Sequence, residues 1–184
     1  MLVRKAFKFE LMPNGKQTRK MKQFVGCSRF VFNKALAYQN EQYEADNSFK
    51  FSYNKLTSLL PQWKREFVWL KDCHSQVLQS SLKDLESAFK NFFAKRADFP
   101  KFKRKGSKES FRFPQGCKLE QHNNRIWLPK IGWVRYRNSR NVLGKIKNVT
   151  VSQKCGKWCV SIQTEFEQEI PVPKGGEIGI DMGI

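Results

Sequence analysis

Acidic residues are scarce in this sequence. Sixteen Asp and Glu stand against thirty-five Lys and Arg, giving a formal net charge of +19 and a pI near 10.0. A folded chain so poor in negative charge repels itself, and a polyanion relieves that repulsion. Nucleic acid is therefore the first candidate partner, with a membrane surface a distant second. Long apolar runs are also missing: no stretch approaches the roughly 18 residues of a membrane span. The opening MLVRKAFKFELMP lacks the apolar core of about 7–15 residues that marks a secretory signal. Both absences point to a cytoplasmic protein with no membrane partner. The five cysteines, Cys27, Cys73, Cys117, Cys155 and Cys159, are odd in number and scattered, which argues for reduced thiols rather than a disulfide framework. Cys155 and Cys159 flank Gly-Lys-Trp with no second pair beside them. A structural zinc ion wants four ligands, so these two read as strand residues beside a turn. No internal repeat is visible.

Aromatic residues are plentiful. Sixteen Phe and five Trp in 184 residues, with 40% hydrophobic content, exclude a disordered chain and supply a core for one domain or two small ones. The segment KRADFPKFKRKGSKESFRF combines the two biases. Its eight cations (Lys95, Arg96, Lys101, Lys103, Arg104, Lys105, Lys108, Arg112) meet only Asp98 and Glu109, and Phe99, Phe102, Phe111 and Phe113 are threaded between them. Phenylalanines can pin such a backbone to a core or stack on bases, leaving the cations for phosphates.

This segment is the seam between two patterns. Upstream, Val3, Lys5, Phe7 and Phe9 alternate with Arg4, Lys8 and Glu10 as one strand, closed by Pro13-Asn14-Gly15. Its partners must come from later in the chain. From Lys16 to Glu44, Met21, Phe24, Val25, Phe32, Ala35 and Leu36 recur at helical spacing. A second helix begins after Ser52 and carries Leu56, Leu59 and Leu60 until Pro61 interrupts it, followed by an aromatic cluster of Trp63, Phe67, Trp69 and Leu70. A third starts near Ser75, with Leu78, Leu82, Leu85, Phe89 and Phe92 on one stripe and Gln76, Gln79, Lys83 and Lys90 opposite. Downstream the period becomes two, over residues 125–129, 131–137, 145–152 and 158–164, with a turn at Gly156. Short strands at this spacing predict an α+β protein in which a small barrel or strongly curved sheet receives a helical insertion. Lys145, Lys147, Arg135 and Arg137 are expected on its outward face.

Five stretches in order along the whole chain resemble the N-terminal half of the OrfB/TnpB family of insertion-sequence proteins. They are RKAFKFELMPNGKQTRKMKQFVGCSRFVFNKAL, LQSSLKDLESAFKNFF, FPKFKRKGSKESFRF, the strands around IWLPKIGWVRYR, and the terminal EIGIDMGI. The family comprises transposon-encoded RNA-guided DNA nucleases related to miniature type V CRISPR effectors. The resemblance implies a wedge-like split β-barrel at 1–12 and 98–170, a helical recognition insertion at 13–97, and a linker with the first strand of a RuvC-like nuclease domain at 171–184. It places the first catalytic aspartate of that nuclease, on a G-I-D-x-G strand, at Asp181. The family's further carboxylates and its four-cysteine zinc ribbon lie downstream, so Mg²⁺ and Zn²⁺ are expected only in full-length members and no cofactor here. Two-metal cleavage needs several carboxylates holding ions about 4 Å apart, so Asp181 alone is an orphaned position.

The expectation is thus a truncated, bacterial, nucleoid-associated protein that recognises nucleic acid without cutting it. The resemblance further implies guide RNA and double-stranded DNA as partners. RNA-backbone contacts are expected from Lys5, Lys8, Lys101, Lys103, Arg104, Lys105, Lys145 and Lys147, and contacts to a short DNA motif from Tyr53, Asn54, Gln76 and Gln79. The alternatives are a split endonuclease completed by a separate C-terminal nuclease chain, and a structural RNA-binding protein. The family's first segment is labelled a helix-turn-helix, but the wide apolar stripe from Lys16 onward should be buried, which speaks against a major-groove reader.

Overall fold

The structure, a computed structural model, describes residues 1–169. The expected linker and the strand carrying Asp181 lie outside that range. The first alternating run forms β1 (Leu2–Met12), which buries Phe7, Phe9 and Leu11 on one face. Asn14 then caps helix α1 (Gly15–Ala45). Its side chain accepts from the Gln17 N–H, while the Gln17 side chain accepts from the Asn14 N–H, a reciprocal capping box. The stripe read from sequence is buried along α1, as Met21, Phe24, Val25, Phe32, Ala35 and Leu36.

Helix α2 (Tyr53–Glu66) starts at the Ser52 cap as expected but runs through Pro61 rather than ending there. Pro61 is exposed and its missing N–H and ring crowding cost about 3 kcal/mol. Buried Leu56, Leu60 and Trp63 anchor the helix on both sides of it. Trp63 therefore belongs to α2, and Trp69 to the short 3-10 helix Val68–Asp72 that follows. Helix α3 (Ser75–Phe93) buries Val77, Leu78, Leu82, Leu85 and Phe89, with Phe92 half-exposed at its end. It packs along α1, where the Ser81 hydroxyl donates to the Ser28 carbonyl.

Six further strands complete one antiparallel sheet: β2 (Glu109–Phe113), β3 (Lys118–Glu120), β4 (Arg125–Leu128), β5 (Gly132–Tyr136), β6 (Lys145–Lys154) and β7 (Lys157–Glu167). Their order is β2-β6-β7-β1-β5-β4-β3. The first strand thus sits mid-sheet between late partners, with the three helices interposed in sequence. Cys155 and Gly156, both at positive φ, make the two-residue turn joining β6 to β7.

The barrel expected from the family is not closed, because β2 and β3 are the two edges of the sheet and do not pair. The chain nevertheless forces these edges near one another. Seven flat strands would put them about 29 Å apart, at 4.8 Å per strand. Phe113 and Lys118 bound the strands joined by residues 114–117, and a link that short reaches at most about 18 Å. The sheet must therefore curl strongly. The shortest pairing in the inner part of the sheet is that of β1 with β5, which share only the pairs Leu11 with Tyr136 and Met12 with Arg135. Pro114 directly follows β2 and lacks an N–H, and β3 has three residues, so neither edge can readily zip to the other.

Phe24 joins the helical and sheet layers. Its ring meets Phe111 edge-on at 5.5 Å and lies 6.3 Å from Phe113. Gly144 precedes β6 at φ +86°, where a Cβ would stand 2.7 Å from the Glu165 carbonyl oxygen and 2.8 Å from the Phe166 Cβ. Gly144→Ala is expected to lose about 2 kcal/mol or more, through backbone strain and overpacking. Urea denaturation measures this directly.

Candidate nucleic-acid interface

Strand register assembles a polar face that no single sequence segment displays. The inner face of β2, β6, β7 and β1 carries Phe111, Phe113, Val149, Val151, Val160, Ile162, Phe7 and Phe9, all buried. Side chains alternate across a sheet, so their neighbours point the other way. Cross-strand pairing lines up Lys8, Ser161, Thr150 and Arg112 in one row over four strands. Glu10, Cys159, Ser152 and Ser110 form the next row, with Glu10 held 3.5 Å from Arg137, and Gln163 with Asn148 the row on the other side. Hydroxyls and amides thus make the floor, and cations stand at its margins.

Two clefts border this floor. One, of about 860 Å³, lies over the β6–β7 turn and is lined by Lys8, Lys108 and Lys154 with Ser110, Ser152 and Glu109, whose carboxylate is shared with Arg29 and the Gly106 N–H. The other, of about 370 Å³, lies between α3 and the sheet, with Arg4, Lys83, Arg112 and Lys147 around Ser80 and Gln163. The bordering carboxylates are occupied. Glu165 accepts from Arg4 and Lys147, both at 2.9 Å, and the Lys147 and Arg4 hydrogen bonds hold its carboxyl below the usual pKa. Asp84 stands 3.8 Å from Arg112. Among the described residues no carboxylate pairs with Lys8, Lys108, Lys145 or Lys154. A polar outer face is ordinary for an antiparallel sheet; an excess of unneutralised cations over hydroxyls and amides is what suits a phosphodiester backbone.

A family model described as a helix-turn-helix domain, of the OrfB type, matches residues 1–48. Across 97% of its length the chain is 58% identical to InsQ of Escherichia coli (strain K12), described as a candidate RNA-guided DNA endonuclease. The chain belongs to the OrfB/TnpB family of insertion-sequence proteins. A Streptomyces pristinaespiralis protein described in the same words is 32% identical over 99% of the chain. This OrfB-family chain spans about half the length of these two relatives, 45% and 46% respectively. The virulence protein VsdF of Salmonella dublin is 30% identical over 114 residues, 56% of the chain and 96% of VsdF. The residues matched by the helix-turn-helix model fold here as β1 followed by the single long helix α1, whose apolar stripe is buried.

The residues expected to contact RNA fall into separate environments in the OrfB-family chain. Lys8 and Lys147 line the two clefts, and Lys145 is exposed at the margin of the same face, opposite Glu165. Lys5 lies on the opposite side of β1, its ammonium 5.4 Å from the centre of the Phe166 ring. Lys101, Arg104 and Lys105 are exposed, and Lys101 lies 3.6 Å from Asp98. Lys103 differs from its neighbours. Asn33 binds its backbone twice, accepting from its N–H at 2.8 Å and donating to its carbonyl at 2.9 Å. Its ammonium sits 4.1 Å from the Phe32 ring centre, where burial lowers its pKa. Lys103→Met is expected to stay within about 1 kcal/mol of wild type in stability. RNA affinity is expected to change less than about twofold, whereas Arg104→Glu or Lys105→Glu weakens binding several-fold; filter binding distinguishes these outcomes.

None of the four residues expected to read DNA lines the α3 cleft itself. Tyr53 opens α2, with the Lys83 ammonium 4.6 Å from its ring centre, and Asn54 beside it is exposed. Gln76 and Gln79 lie in the first turns of α3, next to Ser80. The Gln76 side-chain oxygen is buried without a hydrogen-bond partner. Arg4, Ser110, Thr150, Ser152 and Ser161 escaped the sequence reading, since only pairing between distant strands shows that they share a face. Asp181 lies outside the described residues. Among those described, no group of three or more His, Cys, Asp or Glu side chains is placed to hold a metal ion.

Proposed function

We propose that this chain is the nucleic-acid-binding portion of a TnpB-type transposon protein. In this reading residues 1–12 and 98–170 form the wedge and bind the guide RNA scaffold. Residues 13–97 form the recognition insertion, with Tyr53, Asn54, Gln76 and Gln79 facing a short motif in double-stranded DNA. The observation that carries it is the row Lys8, Ser161, Thr150 and Arg112, flanked by two cation-lined clefts. The relatives' description as RNA-guided DNA endonucleases supplies the class of partner. Asp181, with residues 171–184, would contribute a nuclease carboxylate to a complete RuvC-like site. The described residues derive no step of cleavage.

Recovering and sequencing RNA bound to the purified chain, then titrating salt, tests this reading. With six or more phosphate contacts, affinity should fall by about a thousandfold between roughly 50 mM and 200 mM salt. A chain that retains no RNA at low salt is not a guide-RNA binder.

A further inference from the structure

A third cavity, of about 770 Å³, lies away from the polar sheet face, along α1. Its floor is Gly26 and Phe30, and Trp69 and Phe102 line it with Arg29 and Lys34. The rings are held in place but not covered. Trp69 meets Phe30 edge-on at 4.8 Å and remains 41% exposed. Phe102 is 53% exposed, although the next residue is fixed to Asn33 through both backbone groups. Glycine inside a helix lowers stability, and a Cβ added at Gly26 would meet nothing within 4 Å. Packing therefore does not require Gly26, and its missing side chain leaves open space in the groove it lines.

The cations at this groove decide between occupants. Arg29 and Lys34 line it, and on the same α1 stripe, one and two turns before Gly26, stand exposed Lys22 and Arg19. Arg104 is exposed next to the anchored Lys103. Of the nearby carboxylates, Glu66 and Glu109 are each shared with a groove cation, at 3.6 Å from Lys34 and 3.5 Å from Arg29, and Asp72 accepts from the Gln23 side chain at 3.0 Å. Exposed, rigid rings among surplus positive charge match an unstacked base with its phosphates. They match a second apolar surface less well, since docking one would desolvate those cations.

We propose that this groove is a base-stacking subsite, receiving an unpaired nucleobase of bound nucleic acid between Trp69 and Phe102 above Gly26. The inference rests on the nucleic-acid reading above and gives it a contact that does not depend on backbone charge. The test compares a short oligouridine with an abasic strand of equal length, by fluorescence anisotropy at fixed salt. Wild-type protein should bind the oligouridine about tenfold more tightly. Gly26→Leu, which fills the groove and improves helix propensity, should remove that difference while melting no lower and keeping the salt dependence of abasic-strand binding. Trp69→Ala should also abolish the difference. An equal preference for bases in wild type and Gly26→Leu overturns the proposal, as does equal binding of both strands by wild type. If wild type is a dimer that Gly26→Leu dissociates, the groove belongs to a second copy and the proposal fails. Binding to neither strand overturns the nucleic-acid reading itself and the subsite with it.

Discussion

Reversing Lys8, Arg112 and Lys145 to glutamate together is expected to weaken RNA binding by about two to three orders of magnitude at moderate salt. Lys8 and Arg112 end the same cross-strand row, and Lys145 stands at the margin of that face. Each reversal removes a favourable phosphate contact and installs a repulsive one. The slope of log affinity against log salt should fall by about 2 or more, since each lost contact contributes about 0.7–0.9. All three side chains are exposed, so the variant should melt close to wild type. Lys16, Lys50 and Arg65 are also exposed, and reversing those three changes net charge equally. A matching loss in that control would mean that binding follows overall charge, and the sheet face would lose its special role.

Phe24→Ala should produce the largest loss of stability, about 3–5 kcal/mol. Phe24 is 1% exposed and touches the two rings of edge strand β2, so truncation leaves a cavity at the junction of α1 with the sheet. The same strand positions Arg112 and Ser110 on the opposite face. RNA affinity should therefore fall with stability in Phe24→Ala, and both should recover together at lower temperature or with a stabilising osmolyte. Phe99→Ala, at a ring 45% exposed, provides the contrast, with a cost of about 1 kcal/mol or less. If urea unfolding gives equal losses for the two variants, α1 is not anchored to the sheet through Phe24.

Local pattern carried most of the element assignments. The apolar stripes of α1 and α3 and the alternation of β1, β6 and β7 survive in the structure because each has one buried side. Pro61 misled because a local breaker was weighed without the tertiary burial of Leu60 and Trp63 around it. Strand β2 was hidden in the basic seam, where the alternation of Phe111 and Phe113 spans only a few residues among many cations. Strand spacing left a small barrel and a strongly curved sheet both open and the family resemblance favoured the barrel, whereas the present pairing leaves two edges. The site was legible as charge but not as a surface. Lys8 and Lys147 could be named from the family resemblance, but their meeting with Thr150, Ser161 and Arg112 is a consequence of register. Lys103 looked like its neighbours in sequence and is set apart only by Asn33 and Phe32.

The central place of β1 also sets a schedule for synthesis. This strand leaves the ribosome before the other six of the sheet, yet its long partner is β7, paired from Leu2 with Glu167 to Leu11 with Trp158. At about 5–20 residues per second, the wait is roughly ten to thirty seconds. During that interval α1 and α3 can pack on one another, but Phe7, Phe9 and Leu11 have no sheet to enter. A nascent chain stalled before residue 157 should therefore present β1 as a sticky ribbon to chaperones, and release it once the β6–β7 hairpin emerges.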